Sequence, residues 1–208
     1  MNKFWSKLLF PARMYDRLTD NKLTLALGII FIGLVDFFLP DVKMVFDTYF
    51  TDIGGRAASD ILFNMVAAVF IILLIGAVDV IFFSVPLFDI FRYFKKKEGL
   101  PLKTNRIKVM KSYIMAHFLF KPVEVVLFFT LYRNITRDSS DLLIILAYIA
   151  IFATNIWSSA IITRGINTLY QFGPVIRRLT FLIVFSWSFL FGTVFSMQIM
   201  DWLLKILR

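Results

Sequence analysis

The sequence predicts an all-α membrane protein, a bundle of five transmembrane helices with an N-terminal interfacial amphipathic helix. Three observations predict it. Hydrophobic residues make up 59% of the 208, charged residues only 18%, and Phe alone fills 25 positions. Soluble domains are about 45–50% apolar and about 25% charged, so the excess apolar surface here has to face lipid. Five apolar runs, at residues 23–39, 61–87, 107–132, 142–162 and 179–200, approach the roughly 20 residues that cross the hydrocarbon layer. Lys and Arg alternate between the two sides of those runs.

Taken in order, residues 1–22 form a cytoplasmic amphipathic segment. Phe4, Leu8, Tyr15 and Leu18 share one face, Lys3, Lys7, Arg13 and Arg17 supply the other, and Pro11 bends or restarts the helix. The run at 23–39 ends in Phe37-Phe38-Leu39-Pro40, without the small-x-small site of a cleaved signal peptide. Four acids (Asp41, Asp47, Asp52, Asp60) keep the next connection solvated, and Ser59 or Asp60 is placed to cap span two. The connection after span two is the most basic of all, with Arg92, Lys95, Lys96, Lys97 and Lys103. Gly165 and Gly173-Pro174 end span four and restart span five, which makes those helices antiparallel neighbours. Residues 23–200 thus form the transmembrane domain, followed by a short extracytoplasmic tail, 201–208.

Sixteen Lys and Arg flank the spans on the N-terminal side of the membrane and six on the other, with Lys121 inside a span. The positive-inside rule places the N-terminus in the cytoplasm and the C-terminus outside, in the cell's inner (plasma) membrane. The net charge of +9 belongs to this orientation signal rather than to nucleic-acid binding. The basic loop draws in anionic lipid headgroups, at about 1 kcal/mol per cation near the surface.

With no Cys and a single His, thiolate chemistry and Cys- or multi-His metal sites are excluded. Neither His-Glu-x-x-His nor Gly-x-Ser-x-Gly occurs, and Gly99 to Thr104 lacks the spacing of a phosphate loop. No cofactor or catalysis is expected. Ionisable groups at membrane depth are costly and mark sites by default. They are Asp36, Asp79, His117, Lys121 and Glu124, the last three on one helical stripe with Tyr113. At ~1.5 Å per residue, Lys121 lies ~12 Å and Glu124 ~16 Å from the inner edge, Asp79 near that edge, and Asp36 ~20 Å up span one. Those depths pair His117 or Lys121 with Asp79 and Lys121 with Glu124, and leave Asp36 facing Glu124 or outer water. An aspartyl protease pair fails, because Asp36 and Asp79 stand at different depths.

Leu8-Leu9-Phe10-Pro11-Ala12-Arg13 before span one resembles the proline-containing entry of bacterial members of the Yip1 domain family. Ile156-Trp157, Arg164-Gly165 and Arg177-Arg178-Leu179 resemble that family's tryptophan, glycine, amphipathic hairpin and final span. The resemblance implies five spans and an adaptor or scaffold that binds other membrane proteins, with no catalytic residues. Neither Asp-Leu-Tyr-Gly-Pro nor Met-Pro-Pro of the eukaryotic members occurs, so Rab-GTPase binding does not carry over. The alternative is a small transporter or channel subunit that uses the intramembrane charges.

Overall fold

A computed structural model describes residues 9, 11–37, 58–99, 101–102, 104–132, 135, 139–192, 194 and 198, with residues 37 and 58–64 described by backbone alone. Every regular element among them is helical: α1 (Ala12–Asp16), α2 (Lys22–Phe37), α3 (Ala58–Lys97), α4 (Arg106–Thr130), α5 (Asp141–Tyr170) and α6 (Pro174–Ser186), which runs on into a π-helical turn at Trp187–Phe191. Four stretches, Met65–Lys97, Arg106–Thr130, Asp141–Tyr170 and Pro174–Phe191, are long and apolar enough to cross a membrane. α2 has 16 described residues, and the rest of its expected span lies outside the described ones. Of the expected interfacial helix, residues 2–8 and 10 also lie outside the described residues. Within residues 11–19 the helix is the short α1, which starts directly after Pro11.

Three boundaries differ from the sequence expectation. α3 does not stop at residue 87 but continues to Lys97, making 40 residues and a rod of ~60 Å. It stays helical because Phe88, Phe91 and Lys95 turn inward and are buried among α5 and its following turn. α5 does not end at Gly165. That glycine is interior, and the helix runs to Tyr170, where Gln171 stops it in the left-handed region at φ 51°. α6 begins at Pro174, five residues before the apolar run at 179 and at the Gly173-Pro174 restart the sequence offers, with the proline's fixed φ starting the first turn.

Two close crossings set the bundle. A Cβ on Gly33 of α2 would collide with the Ile72 carbonyl of α3, and one on Gly76 with the Ile29 carbonyl. Small residues at such a crossing let two backbones touch, which drives association where lipid is as apolar as the helices themselves. Where α5 meets α4, a Cβ on Gly165 would collide with Ser112 Oγ and lie 2.7 Å from the Tyr15 ring. The remaining neighbours follow from rings: Phe31 of α2 stacks on Phe118 of α4 at 4.0 Å, and Phe83 of α3 on Tyr113 of α4 at 5.6 Å. Many of the most buried side chains, among them Tyr15, Leu87, Phe91, Ile161 and Ile166, lie toward the end of the bundle where α3 and α5 finish and α4 and α6 begin, while Ile32 is buried farther along α2.

Candidate functional site

The structure joins the expected intramembrane charges into two groups. In the first, Lys121 Nζ lies 3.1 Å from Asp36 Oδ1 and 3.1 Å from Glu124 Oε2. The Glu124 contact follows from i, i+3 spacing on one helix. The Asp36 contact was not expected, and the reason is register. α2 and α4 run the same way, with Thr19 accepting from Lys111 Nζ at 2.6 Å, Gly28 level with Ile114 and Phe31 with Phe118. Counting up both helices from those contacts brings residue 36 level with residues 121–123. α4 starts at Arg106, well before Tyr113, which lifts Lys121 to the level of Asp36 rather than leaving it below.

In the second group, Asp79 of α3 accepts from Tyr113 OH at 3.2 Å and 3.1 Å, one distance to each carboxyl oxygen. His117 Nε2 stands 3.8 Å from Asp79 Oδ2, and its Nδ1 is 3.0 Å from its own helix's Tyr113 carbonyl. Asp79 and His117 are thus brought together as the depths implied, while Lys121 pairs with Asp36 rather than Asp79. α4 stays helical through Pro122, beside Lys121. Among the described residues, no group of three or more His, Cys, Asp or Glu is placed to hold a metal ion.

The basic loop divides. Arg92, Lys96 and Lys97 are exposed, and Lys103 lies outside the described residues. Lys95 leaves the expected headgroup-binding set: it is buried, donates to the Gln171 carbonyl at 3.0 Å, and sits 3.6 Å from Glu98, which in turn accepts from Gly173 N at 3.0 Å. One helical cation thereby ties α3 to the turn between α5 and α6. Alternation along an amphipathic run could have flagged it, since Phe88, Phe91 and Lys95 recur at helical spacing.

Two anchors went unrecognised in the sequence. Tyr15 is fully buried and donates to the Ile161 carbonyl at 3.3 Å. Burial pushes its phenol up, with the nearby Arg164 guanidinium opposing. Tyr170 donates to the Phe88 carbonyl at 3.1 Å. A cavity of about 600 Å³ opens beside this end of α5, between α1 and α6, and another of about 310 Å³ lies between α4 and the start of α2. Neither is lined by the five intramembrane residues.

No protein-family model matches the chain, and no curated protein or solved structure does. The fold and site define it at the level of a multi-pass helical membrane protein.

Proposed function

We propose that this chain is a Yip1-like integral membrane scaffold without catalysis of its own, holding other membrane proteins and anionic lipid in the inner (plasma) membrane. In this reading α2, completed by the residues that follow it, is a fifth span, residues 1–22 form an interfacial amphipathic segment, the N-terminus is cytoplasmic and the C-terminus outside. The observation that carries the reading is the pairing of the intramembrane charges: Asp36 and Glu124 share Lys121, and Asp79 is held by Tyr113 beside His117. A transport path uses charges that trade partners with an ion from water. Paired groups instead fix helix register, a role for which buried ionic contacts are best attested. The exposed cations Arg92, Lys96 and Lys97, with Lys103, are left to meet headgroups and acidic partner loops.

One observation favours the second reading, a small transporter or channel subunit: a carboxyl and an imidazole stand 3.8 Å apart across α3 and α4, beyond a direct hydrogen bond but near enough that a small side-chain shift would let a proton pass. Flux decides between them. Purified protein in liposomes is expected to give no proton or cation flux above empty liposomes. Flux that disappears in Asp36→Asn or Asp79→Asn replaces the scaffold with the transporter. In mild-detergent extracts, changing Arg92, Lys96 and Lys97 together to Gln is expected to weaken retention of co-purifying membrane proteins, with the wild-type advantage fading at high salt.

A further inference from the structure

The cavity of about 600 Å³ beside α5 falls within the ~300–1,000 Å³ of small-molecule sites. Its wall carries two cations, Arg164 and Arg177, against one acid, Asp16. Among the described residues neither arginine is paired with a carboxylate, whereas Lys95, Arg106, Lys108 and Lys121 are. Asn167, Thr168 and Gln171 add polar groups to the same wall.

The rest of the wall says what the ligand carries besides an anion. Phe181 belongs to the cavity and begins a ladder along α6. Its ring stacks on Phe185 at 5.9 Å and Phe185 on Phe189 at 5.5 Å, while Phe152 of α5 meets Phe185 and Phe189 edge-on at 5.7 Å and 5.9 Å. Three rings at i, i+4 and i+8 make an apolar track of ~12 Å that leads away from the arginines along a membrane-length helix.

We infer that this cavity is a dedicated site for one anionic glycerophospholipid, with Arg164 and Arg177 on the phosphate and the phenylalanine ladder along an acyl chain. Guanidinium forks suit phosphate oxygens, and basic pockets between membrane helices take phospholipid headgroups. This site is distinct from the exposed loop cations, and it stands whether the chain is a scaffold or a transporter.

The test uses full-length protein, delipidated in an uncharged maltoside detergent and titrated with dioleoyl phosphatidylglycerol, dioleoyl phosphatidylcholine or inorganic phosphate. Native mass spectrometry counts retained lipid, and the thermal midpoint reports binding. One phosphatidylglycerol is expected to be retained and to raise the midpoint, with no such response to phosphatidylcholine or inorganic phosphate. Arg164→Gln with Arg177→Gln should weaken retention about tenfold or more. Arg178→Gln, an exposed neighbour outside the wall, should leave it unchanged. If the double variant does not fold, Arg177→Gln alone, at an exposed position, carries the comparison. Equal retention of phosphatidylcholine overturns the headgroup assignment, and an equal shift with inorganic phosphate overturns the lipid. Loss in Arg178→Gln as large as in Arg177→Gln reduces the site to diffuse surface attraction and overturns it too.

Discussion

The two ends of the bundle are built on different terms. At the basic end, side chains from α1, α3 and α5 lock together: Tyr15 on the Ile161 carbonyl, Tyr170 on the Phe88 carbonyl, and Lys95 on the Gln171 carbonyl. Toward the opposite end, described residues such as Phe70 and Val69 of α3, Phe129 of α4, and Leu142 and Tyr148 of α5 face outward. Hydrocarbon satisfies a bare aliphatic surface as well as another helix does, so packing there is optional. Near the interface, turns and helix ends expose peptide groups that need fixed partners, and the chain supplies them.

The largest way to probe that contrast lies between the two ends. Lys121→Leu removes the cation shared by Asp36 and Glu124 and is expected to cost about 3–5 kcal/mol, read as a lowered thermal midpoint in detergent. Stability equal to that of Lys96→Leu, at an exposed position, would mean that both acids find water instead. Next comes Gly165→Val, which drives a side chain into Ser112 and Tyr15 and should cost about 3 kcal/mol, the upper part of the usual overpacking range. Lys95→Met keeps most of the side chain's length but strands the Gln171 carbonyl and takes the nearby cation from Glu98, which keeps its bond from Gly173 N, for about 2 kcal/mol. A neutral result there would return Lys95 to the headgroup-binding cations. Smallest of all is Tyr148→Ala at the lipid-facing end, expected within about 0.5 kcal/mol. A loss at Tyr148 matching that at Gly165 would erase the distinction between the ends.

What could be read from residues alone follows the same division. Apolar runs located α3 to α6, since membrane crossing depends on length and hydropathy, which are local quantities. The Lys121–Glu124 contact was legible because i, i+3 spacing needs one helix only. Asp36 with Lys121 was not, because it depends on how far one helix slides along another, and that is set by glycine crossings and ring stacks between distant segments. Gly165 misled for a related reason. A glycine reads equally as a helix stop or as a contact point, and only the Tyr15 ring pressed against it decides. Lys95 read as a loop cation until its helix was seen to continue past the membrane's apolar stretch.

The bond between Asp36 and Lys121 also orders events during synthesis. The two residues are separated by about 85 positions, and ribosomes add about 5–20 residues per second. For roughly 4–17 seconds, then, α2 exists without the cation that its acid meets in the finished bundle. A nascent chain halted between Asp36 and Lys121 carries an orphan carboxyl, a mark that distinguishes an unfinished protein from a complete one.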